Sequence, residues 1–220
     1  MDNNELKNKV VKSGTTILGI VCKDGIVMAS DRQTTVGFTV ANKNYPKIIK
    51  INDYLIVGMS GILSDAQLLT RLVRAELRLK ELKSKRRPTV KEGASLFSSL
   101  IYQNIRKFSA IPGIVGIVIG GIDNNGETKL FSVEPSGAIC EIEDYTAEGS
   151  GMLYVYGILE KGYRKDITTN EGIKLAVDAI KASTQRDIGS GYGIDVFVID
   201  KKGIRHEVKE KIEPRYMREE

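Results

Sequence analysis

Apolar and polar positions alternate along this 220-residue chain with two different periods, and their order predicts the fold. A polar, charged stretch runs to Gly14. Beyond it, Thr15 to Asp31 reads as two strands joined at Lys23-Asp24-Gly25, an Asp-Gly hairpin signal. Thr34 to Asn44 is mostly polar and reads as a loop or a short irregular strand. Lys47 to Ile51 and Tyr54 to Met59 predict a second strand pair around Asn52-Asp53. From Ala66 the period becomes helical. Leu68, Leu72, Ala75, Leu79 and Leu82 follow a four-three spacing that lines one face, and Leu69, Val73 and Leu77 widen it. A basic run and Pro88 stop that helix. Thr89-Val90-Lys91-Glu92 reads as a capping box opening a second helix, with Leu96, Phe97, Leu100, Ile101 and Ile105 inward.

Strands return at Ile114 to Ile122, Thr128 to Glu134 and Ala138 to Ile142, an antiparallel meander with Gly-containing turns. Around Gly149-Ser150-Gly151 the pattern switches to a helix through Glu160. Thr168-Thr169-Asn170-Glu171 caps a third long helix, with Ile173, Val177 and Ile180 on its apolar face. It stops at Arg186-Asp187-Ile188-Gly189-Ser190-Gly191. A last hairpin pairs Ile194 to Ile199 with Ile204 to Val208, and the tail from Lys209 is charged and expected to be loose. The order is strands, two helices, strands, two helices, strands, with no internal linker or repeat. It predicts an α+β fold of two antiparallel sheets with segregated helix pairs, not a doubly wound parallel sheet.

Composition changes this picture little. Apolar residues at 41% and charged residues at 28% are ordinary for a soluble globular protein. No run approaches the roughly 20 apolar residues that span a bilayer, and the stretch before Gly14 lacks the apolar core of a secretory signal. Cys22 and Cys140 are far apart and are expected as buried free thiols of a cytosolic protein. The net charge of +5 gathers partly in Lys80 to Arg87. That run has no interleaved aromatics and ends a helix, where the dipole favours cations. It predicts a solvated helix end; a nucleic-acid-binding module would instead bind in a salt-sensitive way through Arg86 and Arg87.

The chemistry narrows by elimination. The single histidine, His206, lies at the edge of the terminal hairpin and is expected at the surface, so a Ser-His-Asp triad is disfavoured. One histidine and two distant cysteines do not make a zinc site. Gly58-x-x-Gly61 and Gly149-x-Gly151 lack the Walker lysine and the dinucleotide spacing. A hydrolase built on this chain needs a nucleophile independent of histidine. Cut at Gly14-Thr15, the chain would expose one. The threonine hydroxyl attacks, and the new α-amine, with an ordinary pKa of about 7.7–8.0, takes its proton. The same residues also have plain structural readings. Gly14-Thr15 and Gly149-Ser150-Gly151 can be turns, Asp31 a strand end, Lys47 a surface lysine, Thr34 and Thr35 loop residues, and Met59 core filling.

A resemblance weighs against those plain readings. It is carried by Gly14-Thr15-Thr16, by Lys23-Asp24-Gly25-Ile26-Val27 running into Ala29-Ser30-Asp31-Arg32, and by Lys47. It continues through Ser60-Gly61-x-x-x-Asp65-Ala66-Gln67, Gly120-Gly121-Ile122-Asp123, Gly149-Ser150-Gly151 and Arg186-Asp187-x-x-Ser190-Gly191. From Thr15 to about Ile199 the chain resembles a proteasome β subunit of the archaeal type, in the N-terminal nucleophile hydrolase superfamily. The longer N-terminal helix signature of the α subunits is absent. The resemblance implies a four-layer α-β-β-α sandwich. It implies a leader (1–14) that the chain itself removes at Gly14-Thr15, a catalytic domain (15–208) and a charged tail (209–220). Thr15 would be the nucleophile, with Lys47 a cation beside it and Asp31 fixing Lys47. Ser150, Asp187 and Ser190 would hydrogen-bond around the Thr15 amine and a water, and the Gly61 N–H would stabilise the oxyanion. Thr34 and Thr35 would form the cleft wall, and Met59 would close a pocket for large apolar side chains.

No cofactor or metal is implied. The implied partners are proteasome α subunits and other β subunits in stacked heptameric rings, an unfoldase ATPase acting through the α ring, and unfolded polypeptide substrates, all in the cytoplasm. The resemblance implies neither nucleic acid nor membrane. A ring subunit that keeps its leader and contributes only contacts is the alternative. A small-molecule amidase of the same superfamily fits the Ser60-Gly61-x-x-x-Asp65 element less well. In the chain as it stands, Met1 to Gly14 ties the Thr15 amine into a peptide bond. Lys47 is expected to serve chemistry more than packing, so that its removal leaves stability close to wild type.

Overall fold

The computed structural model describes residues 14–213, and in it the turn signals set the first sheet. β1 (Ile17–Cys22) and β2 (Gly25–Asp31) pair antiparallel across Lys23-Asp24. β2 is buried at all seven positions. It lies in the middle of a five-stranded sheet, in the order β10 (Tyr145–Glu148), β1, β2, β11 (Gly193–Asp200) and β12 (Gly203–Lys211), which explains its unbroken apolar run. β3 (Thr34–Val36) and β4 (Thr39–Asn42) form a separate two-stranded hairpin where a loop or a short irregular strand was expected; Gly37, at φ +62°, makes the turn. β5 (Ile48–Lys50), β6 (Leu55–Gly61), β7 (Val115–Ile122), β8 (Thr128–Val133) and β9 (Ile139–Ile142) make the second five-stranded sheet, each paired antiparallel to the next.

α1 (Leu63–Ser84) and α2 (Val90–Arg106) follow β6. The capping box of α2 is formed: Glu92 N donates to Thr89 Oγ1 at 3.1 Å, and Thr89 N donates to Glu92 Oε2 at 2.8 Å. β10 (Tyr145–Glu148) was not foreseen. It is short, half polar, and leaves the meander to pair with β1 in the other sheet. α3 (Met152–Gly162) and α4 (Thr169–Arg186) come next, α4 with its own capping box at Thr168 and Glu171. β11 (Gly193–Asp200) and β12 (Gly203–Lys211) close the first sheet.

Three apolar clusters hold these elements. Leu69, Val73, Leu77, Phe97 and Ile101 of α1 and α2 pack with Val57, Ile117, Ile119 and Phe131 of the second sheet. Val155, Leu159, Ala176 and Ile180 of α3 and α4 pack with Leu18, Ile20, Val27 and Val196 of the first. Ile17, Ile26 and Met28 of the first sheet share the third cluster with Ile56, Val118 and Leu130 of the second. Each fully buried side chain of this size contributes roughly 1.5–3 kcal/mol.

The structure corrects several expectations. The buried face of α1 is Ala66, Leu69, Thr70, Val73 and Leu77. Leu68, Leu72, Leu79 and Leu82, read as the inward stripe, are 42–59% exposed. Cys140 is exposed on β9, while Cys22 is buried as expected, and both are free. β12 continues through Lys209, Glu210 and Lys211, which pair with Asp195, Ile194 and Gly193, so the first residues of the expected loose tail are strand. The ring of His206 stacks on Phe197, with centroids 4.2 Å apart, and its Nε2 lies 2.9 Å from Asp195 Oδ1. The rest of the expected leader (1–13) and of the tail (214–220) lies outside the described residues. Among the described residues no helix is long and apolar enough to cross a membrane.

Candidate active site

Every candidate residue lies at one end of the two sheets. Thr15 and Thr16 lead into β1, Asp31 ends β2, Lys47 precedes β5 and Gly61 ends β6. Ser150 lies in the turn before α3, Asp187 caps the C-terminus of α4, and Ser190 lies in the loop before β11.

Asp31 is the most heavily bonded of them. It is fully buried. Its Oδ1 accepts from Thr16 N at 2.9 Å and Lys47 Nζ at 2.6 Å, and its Oδ2 from Gln33 N at 2.9 Å and Gly191 N at 3.0 Å. Four donors on one carboxyl group suit the anion, which only accepts. Burial pushes the Asp31 carboxyl up; the Lys47 charge and the N–H groups of Thr16 and Gly191 pull it back. Burial pushes the equally enclosed Lys47 ammonium down, opposed by the Asp31 charge. Lys47 is therefore no surface lysine: it is 3% exposed, and its Nζ also donates to Gly14 O at 3.1 Å.

A second network runs through the hydroxyls. Thr15 N donates to Ser150 Oγ at 3.2 Å, and Ser150 Oγ donates to Asp187 Oδ2 at 2.7 Å. Ser190 Oγ donates to the same Oδ2 at 2.6 Å, which leaves it to accept from Thr16 Oγ1 at 2.6 Å. Thr15 Oγ1 donates to Gly14 O at 2.7 Å. The Thr15 hydroxyl and the Lys47 ammonium thus converge on one carbonyl oxygen. Gly14 N donates to Thr35 Oγ1 at 2.6 Å, and a Cβ on Gly14 would lie 1.9 Å from Gly189 Cα. Only glycine fits before Thr15.

Beside Thr15 opens a cavity of about 310 Å³, lined among others by Thr34, Thr35, Met59, Gly61 and Ala66. Met59 lines this cavity, and its Sδ lies 3.0 Å from Thr70 Oγ1, whose proton goes to Ala66 O at 2.8 Å. Gly61 has φ +101°, and a Cβ there would lie 2.1 Å from Ile114 O, so the end of β6 requires glycine. All the residues singled out in the sequence meet here: Gly14, Thr15, Asp31, Lys47, Ser150, Asp187 and Ser190 in the hydrogen-bond networks, and Thr34, Thr35, Met59 and Gly61 on the cavity wall. Thr16 and Gln33 belong to the networks as well and were not singled out. Thr16 sits inside the Gly-Thr-Thr signal, whereas nothing local marks Gln33, whose backbone alone meets Asp31. Among the described residues no group of three or more His, Cys, Asp or Glu could hold a metal ion.

A family model described as Proteasome subunit matches residues 11–199. "Proteasome subunit beta" of Nanoarchaeum equitans is 45% identical over 190 residues, covering 86% of this chain and 95% of that protein. The protein of the same name from Ferroglobus placidus is 41% identical over 208 residues, 94% of this chain and 96% of its own length. "Proteasome subunit beta 2" of Aeropyrum pernix is 39% identical over 198 residues, 90% and 87% of the two chains. The chain belongs to the proteasome subunit family. Within it, its similarity is to archaeal β subunits.

Proposed function

We propose that this chain is a catalytic β subunit of a 20S proteasome-type barrel, a threonine endopeptidase that degrades unfolded polypeptides after removing its own leader at Gly14-Thr15. The observation that carries the reading is the convergence of Thr15 Oγ1 and Lys47 Nζ on Gly14 O, with Ser150 Oγ on Thr15 N. In self-removal, Thr15 Oγ1 attacks the Gly14 carbonyl carbon while Lys47 polarises its oxygen. The C–N bond breaks, the Thr15 nitrogen takes the hydroxyl proton, and an ester joins Gly14 to Oγ1. Water then hydrolyses the ester, releasing the leader as a carboxylate and leaving Thr15 with a free amine.

In turnover that amine, next to Ser150 Oγ, which Asp187 holds together with Ser190, accepts the proton as Oγ1 attacks a substrate carbonyl. Asp31 holds the Lys47 charge beside the nucleophile, and the Gly61 N–H meets the oxyanion. An extended substrate lies along Thr34 and Thr35 and places an apolar side chain against Met59. The chemistry needs no cofactor.

The three core clusters support a four-layer α-β-β-α sandwich as the scaffold. The names of its relatives support assembly into proteasome rings with other subunits; the proposal adds α subunits, stacked heptameric rings and a cytoplasmic unfoldase ATPase that feeds the barrel. The test is co-expression with the matching α subunit, mass spectrometry of the assembled chain, and peptidase assay. Wild type should begin at Thr15, and Thr15→Ala should assemble, keep residues 1–14 and be inactive. An assembled wild type that keeps its leader would show a ring subunit with only structural duties. Leader loss in Thr15→Ala, with no other active subunit present, would exclude self-removal.

A further inference from the structure

Glu148, the last residue of β10, lies opposite Ile17 of β1 in the first sheet. Its half-buried side chain does not stay there. It reaches the second sheet, where Oε1 accepts from Ser60 Oγ at 3.0 Å. Gly149 and Ser150 follow Glu148 directly in the chain. The slot it enters is made by Gly116, which pairs with Ser60 in register; a Cβ on Gly116 would lie 2.3 Å from Glu148 Oε1. Ser60 Oγ also lies 3.4 Å from Gly116 O, a weaker contact than the one to Glu148.

We propose that Glu148 is a positioning residue that ties Ser60-Gly61 at the end of one sheet to Gly149-Ser150 at the end of the other. The inference rests on the function proposed above, because it concerns the alignment of that site. Ser60, its hydrogen-bond partner, and Gly149, its neighbour in the chain, adjoin two groups that flank Thr15. Ser60 precedes Gly61, which lines the cavity, and Gly149 precedes Ser150, whose Oγ accepts from Thr15 N. Gly61 ends a strand of one sheet and Ser150 closely follows a strand of the other, and the hydrogen bond from Ser60 to the Glu148 carboxyl group joins the two strand ends. Glu148 is not among the residues that line the cavity, whereas Ser60 is, so it acts on the site through Ser60. Burial, with the Glu134 charge, holds its carboxyl above the usual carboxylate range, and the Ser60 donor opposes this.

What the bridge requires is an acceptor oxygen in the slot, and a carboxamide also supplies one. The experiment compares Glu148→Ala, Glu148→Gln, Ser60→Ala and the Glu148→Ala/Ser60→Ala pair in the assembled particle. It measures kcat and KM on a fluorogenic peptide with an apolar residue before the scissile bond, together with the thermal unfolding midpoint. Glu148→Ala should lower kcat about tenfold, the rate equivalent of one lost hydrogen bond to a charged group. KM should move less than about twofold, because alignment matters at the transition state. Glu148→Gln should recover most of kcat, Ser60→Ala should reproduce part of the loss, and the pair should be no worse than Glu148→Ala alone.

Wild-type kcat in Glu148→Ala overturns the inference, as does a loss confined to KM, or one that Gln shares in step with a lower unfolding midpoint. Should Glu148→Ala fail to assemble, Ser60→Ala carries the same reading: unchanged kcat overturns it. Thr15→Ala, run alongside, separates the two ideas. If it is inactive while Glu148→Ala is fully active, only the bridge falls; if it remains active, the function falls and the bridge with it.

Discussion

Replacing Lys47 by Met keeps an unbranched side chain of similar length and removes only the ammonium. Lys47 is 3% exposed and its partner Asp31 is fully buried, with Nζ 2.6 Å from Oδ1. Taking one partner from a buried ion pair costs about 3–5 kcal/mol, because the remaining charge is uncompensated. Asp31 keeps the N–H donors of Thr16, Gln33 and Gly191, which places the variant near the lower end, about 3 kcal/mol. For a chain of this size a midpoint shifts by about 2–4 °C per kcal/mol, so the expected drop is about 6–12 °C. This reverses the expectation that Lys47 matters for chemistry and little for stability.

The sign of the pH dependence follows from Asp31. In the variant its carboxyl is raised by burial without the Lys47 charge to oppose it. A carboxyl raised on folding contributes stability at pH below its unfolded value and loses it as pH rises through the folded one. The deficit against wild type should therefore be larger at pH 7 than at pH 5. The assay is thermal unfolding of both proteins in the same assembly state at the two pH values. A midpoint within about 2 °C of wild type at pH 7, or a deficit that ignores pH, would refute the reasoning.

Two further outcomes test other parts of the structure. Met59→Arg should move cleavage toward substrates with an acidic residue before the scissile bond, read on fluorogenic peptides differing only there. Wild type should favour Leu, Phe or Tyr by an amount typical of apolar fit, roughly 1–3 kcal/mol per methylene-sized change, and an unchanged ranking in Met59→Arg would leave Met59 as core filling. Thiol labelling at pH 8 should find one reactive cysteine per native chain, the exposed Cys140, and two in denaturant. Burial, helped by Asp24 and Glu171, pushes the Cys22 thiol from 9.0 up to about 12. Its contribution to stability should accordingly fall as pH rises above 9.0.

The elements with strong local signals were legible in the sequence. Both capping boxes form, and the Asp-Gly turn joins β1 to β2 as its residue types require. The inward face of α1 was not legible, because the helix carries two apolar stripes with the same spacing. Leu68 and Leu69 lie about 100° apart on the helix, and only the sheet beneath decides that Leu69 goes in. β10 escaped notice because its partner, β1, lies more than a hundred residues earlier, and no local pattern announces a change of sheet. The site divides in the same way. The family resemblance marked Thr15, Asp31 and Lys47, but the bonds from Asp31 to Gly191 and from Glu148 to Ser60 exist only once distant segments meet.

The tight packing of Gly14 against Gly189 separates the proposed self-cleavage from the proposed substrate preference. The residue before Thr15 is glycine because there is no room for anything larger, and its N–H is held by the Thr35 hydroxyl. A glycine has no side chain to place against Met59. On the proposed reading, the bond the chain cuts in itself is chosen by shape and by permanent tethering at the nucleophile, without help from the pocket that sorts foreign peptides. The self-cut after glycine is therefore no guide to substrate preference. A variant can lose discrimination among substrates and still mature normally, and a change at position 14 can block maturation in a chain whose pocket is intact.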